Sequence, residues 1–234
     1  RGLGDVYKRQ PFSDRPGLGR LGRMIRRFSA CVVFLYCLSG VATAEGWSRF
    51  RGPNGSGIAE GAEIPAEVTA ETILWEVETP GIGYSSPVVE DGRTFLTAVD
   101  GETRLFLCYD AGPGEEIWRQ EREFSKHHVH GKFGSHAATT AAVGGGLVYF
   151  VNGNGTTIEV EALSVEDGRQ LWQVDVPGFD DTDHGAIAAP VLVEDKVLLV
   201  SADHIGSGAC LLGLNPADGS EIWRVGRKNS KDNY

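Results

Sequence analysis

From residue 73 onward the chain sets apolar and β-branched runs of five to eight residues between short polar breaks that carry Gly, Asn or Asp. Runs of this kind read as strands joined by tight turns, and no long stretch shows helical periodicity. The pattern predicts four strands in each of three units. In the first unit they span about 85–90, 93–99, 104–110 and 115–120. The second holds 137–143, 147–152, 157–164 and 169–175, and the third 188–194, 197–202, 209–215 and 221–225. Thirty-two glycines against one methionine, with aromatic and β-branched residues spread evenly, agree with an all-β class.

The same region repeats itself. Eleven positions ending at Trp118 (CYDAGPGEEIW) align without gaps with those ending at Trp172 (ALSVEDGRQLW) and Trp223 (GLNPADGSEIW). The tryptophans are 54 and 51 residues apart. Each shared position has a mechanical reason. Asp110, Ser164 and Asn215 can close a turn through their own side chains. Gly114, Gly168 and Gly219 supply the positive φ that a tight reversal demands. The indole at the start of the returning strand can wedge between neighbouring sheets. Four short strands every ~50 residues is the spacing of a β-propeller blade. The blades then span about 79–120, 121–175 and 176–225.

The repeat resembles that of the PQQ-like β-propeller proteins, the quinoprotein alcohol dehydrogenase-like superfamily, which includes the exported BamB-like proteins. The segment from Trp47 to Gly57 (WSRFRGPNGSG) is similar to the start of exported bacterial proteins of this kind. The resemblance implies a partial propeller. In it, residues 73–77, with Trp75, act as a closing strand and about three four-stranded blades belong to an incomplete ring. The same resemblance implies two uses for such a fold: a scaffold for protein assembly, or a dehydrogenase that needs PQQ and calcium. Dehydrogenases of the family often carry adjacent cysteines, and this chain has none.

Residues 1–23 precede the only methionine and read as an upstream or non-native segment. From Met24, a basic pair (Arg26, Arg27), an apolar run over 28–38 and small residues at 42–44 describe a cleavable signal peptide. Residues 45–72 form an N-terminal extended segment ahead of the blades. The expected product is exported, periplasmic or extracellular, with no membrane span after cleavage. Residues 1–44 hold eight basic and two acidic residues, which leaves 14 basic against 30 acidic in 45–234, a net charge of −16 at pH 7. Such a surface repels phosphate backbones and excludes nucleic acid as an expected partner. Cys108 and Cys210 sit in apolar strand contexts and read as buried free thiols.

Chain direction decides where chemistry can gather. In blades of four antiparallel strands, the second-to-third turns and the blade-to-blade crossings share one rim, and the glycine turns share the other. The crossing rim collects His127, His128, His130 and His136, then Asp180, Asp181, Asp183 and His184, then Asp203 and His204. Histidines and carboxylates are ligands for zinc and other divalent metals, so this set is a candidate metal or ligand rim. Nothing has the spacing of a nucleophilic site, and no catalytic residue is predicted. The expected function is a non-catalytic scaffold that binds a protein or peptide in the cell envelope, with no cofactor. The alternatives are a part of a PQQ- and calcium-dependent dehydrogenase, or metal capture by the His/Asp rim.

Overall fold

The computed structural model describes residues 46–62, 65–126, 129, 134–177, 186, 188–202 and 209–227. Twelve strands form three four-stranded antiparallel sheets, and no helix occurs among the described residues. The first blade holds β1 (Val88–Glu90), β2 (Arg93–Asp100), β3 (Thr103–Asp110) and β4 (Glu116–Glu123). The second holds β5 (Ala142–Gly144), β6 (Leu147–Asn154), β7 (Thr157–Ser164) and β8 (Gln170–Pro177). The third holds β9 (Val191–Val193), β10 (Val197–Ala202), β11 (Cys210–Leu214) and β12 (Glu221–Gly226). Within each sheet the strands lie in chain order, and β1, β5 and β9 neighbour one another along the inner side. The fold is three blades of a β-propeller.

The returning turn is built the same way three times. Gly112 N–H bonds Asp110 Oδ1, Glu166 N–H bonds Ser164 Oγ, and Ala217 N–H bonds Asn215 Oδ1. Gly114, Gly168 and Gly219 then take φ of 77°, 71° and 73° and donate back to the carbonyls of Asp110, Ser164 and Asn215. A β-bulge follows the first repeat position in every blade, after Cys108, Ala162 and Gly213. A bulge of this kind increases the local twist where the tryptophan strand begins.

Two of the three repeat indoles dock on the turn of the next blade. Trp118 Nε1 donates to Val165 O at 3.0 Å and Trp172 Nε1 to Pro216 O at 2.9 Å. A Cβ on Gly168 would stand 2.7 Å from the Trp118 ring, and one on Gly219 would stand 2.6 Å from the Trp172 ring. Glycine is therefore required twice at this position, for its positive φ and for the indole above it. Residues 73–77 have no ladder partner among the described residues, yet Trp75 takes the same place. Its Nε1 donates to Ala111 O at 2.9 Å, and its ring covers Gly114. Trp223 instead lies against Gly213 of its own blade.

The core lies between the blades. Val88, Phe95, Phe106, Cys108 and Trp118 meet Ala141, Val143, Val148, Phe150 and Leu163. Tyr149, Val151, Val160 and Trp172 meet Leu198, Val200, Leu212 and Leu214 on the other face of the second blade. Cys108 and Cys210 are buried and are not joined in a disulfide. Burial pushes the Cys108 thiol up to about 12, with Arg93 opposing and Asp110 adding. A thiol-reactive reagent at pH 8 therefore meets thiolate in roughly one Cys108 in ten thousand. Peptide mass spectrometry should find Cys108 unlabelled in the folded chain and labelled in urea.

The inner strands are shorter than the sequence pattern implies. Residues 85–87, 137–141 and 188–190 were expected in β1, β5 and β9, which keep only three residues each. Side-chain bonding explains the first. Ser85 Oγ accepts from Thr97 N–H and donates to Thr97 O, so a hydroxyl replaces the backbone ladder. The Tyr84 and Ser85 amides both donate to Ala137 O, and the Ser86 amide donates to Thr140 Oγ1. This stretch thus bonds its own sheet through the Ser85 side chain, and its amides go to the entry of the next blade.

Candidate functional site

The two rims are as unequal as chain direction demands. On one, the turns joining β1–β2 and β3–β4 bond to each other, with Ala111 N–H to Gly92 O and, in the second blade, Val165 N–H to Gly146 O. On the other, the crossing after β4 bonds the β2–β3 and β6–β7 turns. Phe124 N–H donates to Glu102 O, and Gly155 N–H donates to Ser125 O at 2.8 Å.

Of the predicted rim residues, His127, His128, His130, Asp180, Asp181, Asp183, His184, Asp203 and His204 lie outside the described residues. His136 is described. Its ring packs against Phe124 with centroids 5.2 Å apart. Burial holds its pKa below the usual histidine value, and Arg104 and Lys126 add to that, so the local field already disfavours a cation. Among the described residues no group of three or more His, Cys, Asp and Glu is placed to hold a metal ion.

Two features escaped the sequence reading. The first is a cleft of about 420 Å³ where the three crossings enter their inner strands. Tyr84 and Ser86 line it from the first blade, Thr140 from the second and Pro190 from the third, with Arg49 and Phe50 of the N-terminal segment beside them. That segment is laid across the inner side of the first two blades. Val89 N–H donates to Trp47 O at 3.0 Å and Val143 N–H to Ser48 O at 2.8 Å. Gly52, at φ 77°, lets the chain fold back over the Trp47 ring. Phe50 is 47% exposed and Tyr84 61%, so two aromatic rings stand open beside the cleft. Aromatic rings with a guanidinium are the residue types that anchor protein interfaces.

The second is a polar layer between the first two blades, on the crossing-rim side of the apolar contact. Strand alternation puts Thr97, Arg104 and Arg122 of the first blade on the face that meets Asn152, Glu159 and Glu161 of the second. Arg104 is fully buried. It pairs with Glu159 at 3.2 Å, donates to Gly153 O at 2.6 Å and lies 4.5 Å over the Phe124 ring. Its pKa is lowered by burial, against the pull of Glu159 and Glu161. Glu161 is as deep but lacks such a partner. Burial first, and then Glu159, push its carboxyl up to about 7, with Arg122 and Arg104 opposing. The arginines and glutamates were legible as strand residues, but nothing in a single sequence says that charges from two units 55 residues apart will face each other.

With the blades and the cleft in view, the class is settled: this is a propeller of the PQQ-like, quinoprotein dehydrogenase-like superfamily. A family model described as outer membrane protein assembly factor BamB matches residues 66–232, and the chain belongs to that family. It is 25% identical over 147 residues to a quinohemoprotein alcohol dehydrogenase, ADH-IIG, from Pseudomonas putida, covering 60% of this chain and 19% of that protein. The chain therefore spans about a fifth of the length of this curated relative. The crystal structure of quinohemoprotein alcohol dehydrogenase from Comamonas testosteroni superposes with a TM-score of 0.55 at 15% identity, over 82% of this chain and 28% of that one. BamB from Moraxella catarrhalis gives 0.31 at 12% identity, over 62% and 63%. No helix among the described residues is long and apolar enough to cross a membrane.

Dehydrogenases of this superfamily imply PQQ and calcium. Calcium takes about six to eight oxygen ligands, carboxylates among them. The described lining of the cleft offers hydroxyls from Tyr84, Ser86 and Thr140 and the positive charge of Arg49, which repels a divalent cation. These residues do not fit calcium.

Proposed function

We propose that this chain belongs to an exported, non-catalytic propeller that binds a protein or peptide partner in the cell envelope through its crossing rim. The observation that carries the reading is the cleft with its open aromatics, Phe50 and Tyr84, flanked by Arg49 at the point where three crossings converge. Rigid blades hold such a surface without further ordering, so little entropy is lost when an extended segment settles on it. The opposite rim is consumed by its own turn-to-turn bonds and by the indoles.

Site-specific photocrosslinking in the envelope tests this. A photoreactive residue at Tyr84 should capture a discrete protein partner, and one at Asp167, on the glycine-turn rim, should not. Equal capture from both positions, or none from either, would sink the reading. The likeness to ADH-IIG keeps a second reading in view, a part of a PQQ-dependent dehydrogenase. Reduction of a redox dye by the chain with PQQ, calcium and an alcohol would establish that instead.

A further inference from the structure

The polar layer between the first and second blades holds a buried base, Arg104, a buried acid, Glu161, and a partly buried second acid, Glu159. Arg104 is the only guanidinium among its described members with no exposure, and its two strongest contacts are Glu159 and Gly153 O. Glu161 is 2% exposed, and its Oε2 has no hydrogen-bond partner among the described residues. Arg122 Nε stands 3.9 Å away, too far to donate, and a third of that side chain is in water. A buried carboxylate oxygen with no donor is a costly group, and a proton removes the cost by removing the charge.

The same layer grips the rim. Glu159 accepts from Asn154 Nδ2 at 2.5 Å, and Asn154 Oδ1 accepts from Ser125 N–H at 2.6 Å. Ser125 O in turn accepts from Gly155 N–H. Phe124, the residue before Ser125, is covered by Arg104 and by His136. One connected path therefore runs from Arg104 through Glu159 and Asn154 to the start of the crossing that carries His127, His128 and His130.

We propose that this junction is a proton-operated latch: with Glu161 protonated, Arg104 belongs to Glu159 and the crossing is held through Asn154 and Ser125. Loss of the proton makes Glu161 compete for Arg104 and slackens that hold. The surrounding charges set the balance. Glu159 on the same strand and Asp175 on β8 oppose ionisation of Glu161, while Arg104 on β3 and Arg122 on β4 favour it. Arg104 and Lys126 both act on His136, and Lys126 is itself paired with Glu102 at the surface. The resulting affinity places the switch near neutrality, with a midpoint of about 7. The latch concerns the anchoring of the crossing and stands whether or not the rim binds a protein.

The test is NMR on the whole chain. The carboxyl carbon of Glu161 should titrate near pH 7, and the Ser125 and Gly155 amides should lose about tenfold in exchange protection between pH 6 and pH 8, after correction for intrinsic rates. In Glu161→Gln both amides should keep constant protection across that range. A Glu161 midpoint below about 5 overturns the proposal, and so does an equal loss of protection in the variant. If the variant does not fold, the wild-type chain still decides: the amide profile must share the midpoint of the carboxyl titration, and separate midpoints refute the latch.

Discussion

Trp118→Ala should cost the chain about 3–5 kcal/mol of folding stability, the range for truncating a buried aromatic, whereas Trp223→Ala should cost no more than about 1 kcal/mol, as expected for a partly exposed ring. The two side chains occupy the same position of the same repeat, so sequence alone would rank them equally. Their surroundings differ. Trp118 is 8% exposed, packs 5.9 Å from Phe95, donates to Val165 O and covers Gly168, so it ties the first blade to the second. Removing it opens a cavity at the junction and orphans a carbonyl. Trp223 lies on Gly213 in its own sheet, and no described residue offers a following turn. Urea melts of the two variants decide the matter, with the denaturant slope checked for loss of cooperativity. Comparable losses in both would mean that inter-blade docking is not what the indole contributes.

The architecture was readable because it depends on local chemistry that recurs. The turn needs an oxygen-bearing side chain at Asp110, Ser164 or Asn215 and a glycine four residues later, and both are visible in one sequence. Strands β2, β3, β6, β7 and β10 fall within two residues of where alternation puts them. What the pattern overestimated were the inner strands, since nothing local reveals that Ser85 Oγ will bond Thr97 in place of the backbone. The site was less legible. Rim assignment followed from chain direction alone, and of its ten residues His136 is the one described. The surroundings of His136 were not legible, because Arg104 and Lys126, which add to the lowering of its pKa, come from β3 and from the crossing. The cleft was invisible for a related reason. Its lining comes from the N-terminal segment and from three blades, in single residues with no spacing to announce them. Nine of the ten rim residues named from sequence remain outside the described residues, and the metal reading for them stays with the sequence.

Arg104→Met should be the most damaging single change in the polar layer, at about 3–5 kcal/mol near pH 8, the cost of removing one partner from a buried ion pair. Methionine fills much of the volume and keeps the contact with Phe124, so the loss measures charge more than packing. The pH dependence carries the sign. The folded-state pKa of Glu161 lies near 7, above its ordinary 4.5, so the folded chain binds the extra proton between those values. Stability therefore declines as pH rises from about 4.5 through about 7, by up to ~3 kcal/mol if no other group compensates. Without Arg104 that carboxyl gives up its proton still less readily, and the decline should extend further above pH 7. The penalty of Arg104→Met should accordingly be smaller at pH 6 than at pH 8. Adding Glu159→Gln should recover part of the loss at both, because it removes the second uncompensated carboxylate. Thermal or urea melts of the wild type, the single and the double variant at pH 6 and pH 8 supply the comparison. A penalty that is the same at both pH values would mean that Glu161 does not ionise in this range, and would take the latch with it.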